Sequence, residues 1–202
     1  MPAEVVHANS DIIFSKKALF PLRDYRVHAP REAVLRSWME EVEPLRNLFS
    51  RQYSPKNLEE YLLKIHKHSF LHVDPQKITH LIFNLQRWGN FNEESTTLLA
   101  IGSYILHKKP RWKKVQASMR VIAGGDYYLE TFPTEETINC IDVAAWIRVL
   151  ADGYRLKGDI VTTWDHSHYQ TDSGRVLDPM TRPDTAGFFP NISQYEQYCA
   201  DY

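Results

Sequence analysis

TINCIDVAAWIRVLADGYRLKGD, residues 137–159, carries Cys140, one of only two cysteines in the chain. Val143, Ile147 and Leu150 recur at helical spacing behind it, and Gly153 reads as the left-handed residue that closes the helix. With Asn139 as N-cap, Cys140 becomes the first helical residue and Asp142 the third. The thiol then meets unsatisfied N–H groups and the positive end of the helix dipole, both of which favour a thiolate. Pro133-Thr134-Glu135-Glu136 offers a second start that would move Cys140 into the second turn. A thiol at a helix tip reads as either a buried small hydrophobe or a nucleophile, and its neighbours in the fold must decide.

The hairpin downstream supplies those neighbours. GDIVTTWDHSHYQT (158–171) and GRVLDPM (174–180) read as strand-like runs around Asp172-Ser173-Gly174, which suits a three-residue loop with Gly in the left-handed position. Gln170 then pairs with Val176, His168 lies opposite Asp178, and His166 is the diagonal neighbour of Asp178 on the same face. A thiol needs a base, and the base needs a group to orient it. Cys140, a histidine from 166 and 168, and Asp178 make such a set.

Upstream, the pattern is helical. REAVLRSWMEEVEPLRNLF (31–49) spaces Val34, Leu35, Trp38, Val42, Leu45 and Leu48 along one face, with Pro44 expected to kink or split it. Ser54-Pro55 opens a second helix with Leu58, Tyr61, Leu62 and Ile65 inward, and Asp74-Pro75 a third that stops at Gly89. NEESTTLLAIGSYILHKK (92–109) is a fourth, and short loops between them predict a packed helical region over roughly 31–120. Residues 1–30 read as an extended arm, and VIAGGDYYLETF (121–132) has strand-like composition around a Gly-Gly break.

The whole reads as an α+β protein, with an arm and helical region in 1–120 and a sheet-containing core in 121–202, packed as one compact unit. With 202 residues, 43% hydrophobic and 24% charged, the chain is long enough for one well-packed core. A net charge of −1 gives no general attraction to nucleic acid or anionic membrane. No apolar run approaches the ~20 residues of a membrane span. MPAEVVHANSDIIFSKK lacks a signal-peptide pattern, so a reducing cytoplasm is expected, secretion by a non-classical route leaving no readable mark. Nine histidines are scattered without ligand spacing, and neither a metal nor an organic cofactor is expected.

Residues 137–180 resemble the transglutaminase-like group of papain-fold thiol enzymes. The shared pattern is Cys140-Ile141-Asp142-Val143-Ala144, then Leu150 and Gly153-Tyr154-Arg155, then His166-Ser167-His168-Tyr169, then Val176-Leu177-Asp178-Pro179. The resemblance departs at His168, where the family has Trp, and in a shorter hairpin. It implies a papain-like core with an antiparallel sheet and a Cys140–His166–Asp178 triad, His168 being the alternate base. In the family the Asp lies opposite the residue two after the His, which favours His166. The family's upstream oxyanion residue has no clear counterpart here, a role in which Tyr127 or Tyr128 could serve. The implied chemistry is cysteine-dependent acyl transfer or amide hydrolysis through a thioester, on a peptide-like amide or thioester, with water or an amine as acceptor. The rival reading is a non-catalytic interaction protein that keeps the fold and binds an acidic partner or nucleic acid through the basic run at His107–Lys114. A solvated helix end explains that run more simply, so nucleic acid is not expected.

Overall fold

The computed structural model describes residues 20–21, 25–52, 54–67, 72–108, 125–128, 140–162 and 166–201, with the backbone alone at 20, 21, 25, 26, 55 and 125–128. The described helices are α1 (Glu32–Ser50), α2 (Pro55–Lys67), α3 (Pro75–Arg87), α4 (Glu93–Lys108), α5 (Cys140–Gly153) and α6 (Ile192–Ala200). The strands are β1 (Phe20–Pro21), β2 (Tyr25–His28), β3 (Gly125–Tyr128), β4 (Gly158–Thr162), β5 (Ser167–Thr171), β6 (Val176–Leu177) and β7 (Phe188–Phe189). The fold is α+β and mostly helical. One sheet runs β1-β4-β5-β6-β7 with every neighbouring pair antiparallel; β2 and β3 form a separate parallel pair.

Local chemistry explains most helix ends. Asp74 caps α3, its carboxylate accepting from the N–H groups of Gln76 at 2.9 Å and Lys77 at 3.2 Å. Ser54 accepts from Asn57 N–H at the start of α2, and Asn92 exchanges hydrogen bonds with Ser95 before α4. Gly89 closes α3 as expected, with φ +68 and with Asn90 N–H reaching back to Leu85 O at 2.8 Å. Gly153 is different. It is the last residue of α5, and the left-handed position after it falls to Arg155 (φ 59), with Leu156 N–H on Ala151 O and Arg155 N–H on Asp152 O, both at 2.9 Å. What Gly153 provides is room: a Cβ there would lie 2.9 Å from Met39 Sδ on α1.

Two other expectations are corrected. Helix α1 continues through Pro44 without splitting. Pro44 lies on the exposed side, as does Glu40, so the helical hydrogen bond that the proline removes lies where water is at hand to replace it. On α2, Leu58 and Leu62 are buried, whereas Tyr61 is 42% exposed.

The run 158–171 is also not one strand. It folds on itself, with Gly158 opposite Thr171, Ile160 opposite Tyr169 and Thr162 opposite Ser167. The connecting residues 163–165 lie outside the described residues. The next hairpin takes the expected form: Gln170 pairs with Val176, Gly174 has φ +89, and Gly174 N–H bonds Thr171 O at 2.9 Å.

The sheet presents two apolar faces. Ile160, Tyr169, Leu177 and Phe188 join the large core formed with α1–α5, while Val176 and Phe189 face Tyr195 on α6. Helix α5 lies inside the large core rather than on it. Trp146, fully buried, packs between Trp38 of α1 (centroids 5.8 Å apart) and Tyr104 of α4 (5.7 Å, near-perpendicular). The helical region and the sheet thus share one core. No described helix is long and apolar enough to cross a membrane.

Helix α4 is buried from Ser95 to Leu106 and meets the loop before β7 at Gly102, where a Cβ would sit 2.1 Å from Ala186 O. Gly102→Ala must therefore displace backbone, with an expected loss of about 3 kcal/mol. Gly89→Ala adds a Cβ into open space and meets only the left-handed φ, for a loss of about 1 kcal/mol. Thermal denaturation of the two variants should rank them in that order; equal midpoints would contradict the close approach.

Candidate active site

Three segments converge on one imidazole. Cys140 is the first described residue of α5, 6% exposed and held by a helix whose next turns are buried. The N-cap expectation at Asn139 and the alternative at Pro133–Glu136 lie outside the described residues. His166 immediately precedes β5, and Asp178 follows β6. His166 Nε2 lies 2.7 Å from Asp178 Oδ2, the diagonal contact that the hairpin register predicts. The Cys140 thiol lies near enough to His166 to add to the pull of Asp178 on its proton. Cys140, His166 and Asp178 thus form one connected chain of polar contacts.

Asp178 is 2% exposed, so its charge needs donors. Oδ2 accepts from Thr181 Oγ1 at 2.5 Å and from the Tyr195 phenol at 3.0 Å in addition to His166; Oδ1 accepts from Thr181 N–H at 3.3 Å. Burial alone would raise this carboxyl's pKa. The His166 charge and the hydrogen bonds from His166 and Thr181 outweigh it and hold the pKa at about 2. For His166, burial pushes the pKa down, but Asp178 and then the Cys140 thiol keep it well above the usual 6.5. The site therefore favours an imidazolium between a carboxylate and a sulfur.

The backbone around Asp178 is fixed from behind. Its N–H donates to Gly187 O at 2.7 Å, and Gly187 has φ +75. A Cβ at Gly187 would lie 2.1 Å from Pro179 N and 2.2 Å from the Asp178 carbonyl carbon, so only glycine permits this approach.

His168 does not join the chain. It is 3% exposed, neither ring nitrogen has a hydrogen-bond partner, and the ring stacks at a tilt on Tyr195 with centroids 4.5 Å apart. Burial lowers its pKa to about 4 against a smaller opposing pull from Asp178, so the ring is neutral at pH 7. Its place is between the sheet and α6, where its packing matters and its basicity does not.

Tyr127 and Tyr128 lie on β3, paired with Val27 and His28 of β2, and their side chains lie outside what the structure describes. Of the basic run, Lys108 forms an ion pair with Glu41, and residues 109–114 lie outside the described residues. Both cysteines are free thiols. Among the described residues, no group of three or more His, Cys, Asp or Glu side chains is arranged to hold a metal ion. A cavity of about 790 Å³ opens on the helical region beside Glu43, Arg46 and Glu93. Arg46 is already paired with both carboxylates there, so its guanidinium is not free to receive an anionic ligand.

Sequence reading missed Thr181 and Tyr195. Thr181 stands three residues beyond Asp178, with its N–H on Asp178 O at 3.1 Å, a turn that an Asp-Pro pair followed by Thr could have suggested. Tyr195 has no local signal, because only the packing of α6 brings it to Asp178. The chain matches no family model, no curated protein and no solved structure.

The pKa directions fix a pH dependence. Asp178 is depressed from 3.8 to about 2, so its stabilising contribution is complete above the unfolded pKa and is lost as pH falls through about 2. The His166 contribution is complete below 6.5 and is lost as pH rises through its raised folded value. His168 is depressed from 6.5 to about 4, so folding is favoured above 6.5 and loses roughly 3 kcal/mol from this group as pH falls towards 4. His168→Phe removes that loss and two unpartnered nitrogens. Denaturant titrations should show a flatter stability profile between pH 6.5 and 4 than wild type. An unchanged slope would mean His168 is not buried in neutral form.

Proposed function

We propose that this protein is a thiol enzyme of the transglutaminase-like, papain-fold kind, which acylates Cys140 and passes the acyl group to water or an amine. The observation that supports this reading is the position of His166, shared between the Cys140 thiol and the buried Asp178 carboxylate. Thiol, imidazole and carboxylate in contact are the parts that nucleophilic catalysis requires.

The steps follow from the contacts. At rest His166 already holds the Cys140 proton on Nδ1 as the imidazolium of an ion pair, and Asp178 holds the Nε2 proton and stabilises that charge. The thiolate attacks the carbonyl carbon of a peptide-like amide or thioester. As the tetrahedral intermediate collapses, the carbon–nitrogen or carbon–sulfur bond breaks, and His166 gives its proton to the departing amine or thiol. Water or an amine then attacks the thioester, losing its proton to His166, and Cys140 leaves. Backbone N–H groups at the start of α5 would hold the oxygen on which charge develops. A free thiol nucleophile suits a reducing compartment, which we take to be the cytoplasm. The substrate is recognised as a peptide-like acyl donor, and the helical region carries its specificity.

Electrophilic acyl probes with and without amine donors, followed by mass analysis of the Cys140 peptide, test this directly. Cys140 should acylate, and at pH 6 it should alkylate faster than a model thiol. His166→Ala should slow the reaction by ~10²–10⁴, and His168→Ala far less. Model-thiol reactivity at Cys140, or equal losses for the two histidines, would overturn the proposal.

A further inference from the structure

Asp178 Oδ2 receives three donors within 3.0 Å, from His166, Thr181 and Tyr195, while Oδ1 has only the longer contact from Thr181 N–H. Orientation of the imidazole requires one of them. The two hydroxyls do something else: each draws charge from the same oxygen that faces His166. We infer that Thr181 and Tyr195 are positioning residues which, through Asp178 Oδ2, set how strongly that carboxylate holds the His166 proton, making the C-terminal helix part of the active site. The inference rests on the reading of His166 as the base.

Both hydroxyls are held for this. The turn after Asp178 fixes Thr181, whose Oγ1 also lies 3.4 Å from His166 Nε2. Tyr195 stands on α6, whose first turn is capped by Asn191 accepting from Gln194 N–H at 2.9 Å. Its ring meets Phe189 edge-on at 5.1 Å and His168 at 4.5 Å, and it is 7% exposed. Burial, Asp178 and the Cys199 thiol keep the phenol far above its usual pKa of 10, so it stays a donor. The ionisable groups around the pair are Cys140 on α5, His168 on β5, and Tyr195 and Cys199 on α6. Arg182, an ion-pair partner of Asp184, covers the Phe189 and Tyr198 rings of the same wall.

The chemical need is a compromise. A bare buried carboxylate would hold the imidazolium so firmly that His166 would be slow to protonate a leaving group; a weak one would not form it. Two hydroxyl donors place it between these limits. Removing either should make Asp178 more basic and His166 harder to deprotonate.

The test is the titration of His166 by NMR of histidine-labelled full-length protein, its resonance assigned with His166→Gln. Tyr195→Phe keeps the ring, and Thr181→Val keeps the shape. In each, the His166 midpoint should rise by about 0.3 pH unit or more, at least a twofold change in acid constant. Thr181→Ser should restore it. A packing role alone would lower the melting temperature and leave the midpoint in place. Unchanged midpoints in the folded variants would overturn the inference, and if Tyr195→Phe does not fold, the Val/Ser pair at 181 decides. Failure of wild-type Cys140 to alkylate at pH 6 would instead strike the thiol-enzyme reading, which this titration does not measure.

Discussion

A carboxylate buried to 2% exposure is the constraint around which the sheet end of this molecule is organised. An isolated ion in that position would cost several kcal/mol, and removing a partner from a buried pair is strongly destabilising. Asp178 is compensated by groups from three places: His166 before β5, Thr181 in the turn after β6, and Tyr195 on α6. Each fixes part of the fold. The hydrogen bond to His166 sets the hairpin diagonal, Thr181 sets the turn, and Tyr195 draws the C-terminal helix onto the outer face of the sheet. Gly187 makes the arrangement feasible, since any larger residue would collide with the Asp178 backbone.

The inner face of the same sheet does a different job. Tyr169, Leu177 and Phe188 join a core that runs through α5 to α1 and α4, with Trp146 wedged between Trp38 and Tyr104. Cys140 is thus mounted on a rod that is buried almost throughout. A reactive sulfur gains from this, because its direction is fixed by packing rather than by a loop. The helical region contributes rigidity to the helix that carries the thiol.

Periodicity and turn chemistry carried much of this in the sequence. The Asp74 and Ser54 caps, the Gly89 stop, the three-residue loop at 172–174 and the diagonal from His166 to Asp178 follow from local rules that the structure obeys. Failures came where tertiary packing overrides those rules. Gly153 does end its helix, but the left-handed position falls to Arg155, and the missing side chain leaves room for Met39 on a distant helix. Pro44 looked like a kink or a split, yet α1 continues through it unsplit with Pro44 on its exposed side. The run 158–171 looked like one strand because no Gly, Pro or Asn marks the turn between its two arms. His166 and His168 share one strand face, and the preference for His166 is decided by hydrogen bonding: its ring contacts Asp178, whereas neither His168 nitrogen has a partner among the described residues. Tyr195 was beyond local inference altogether.

The account depends most on contact between the Cys140 sulfur and the His166 ring. Following the His166 titration in wild type and in Cys140→Ala isolates that contact, because the thiol adds to the forces that hold the imidazolium. Loss of the sulfur should move the His166 midpoint to lower pH. An identical midpoint in both proteins would mean that sulfur and imidazole do not communicate, and the catalytic reading would fail with it.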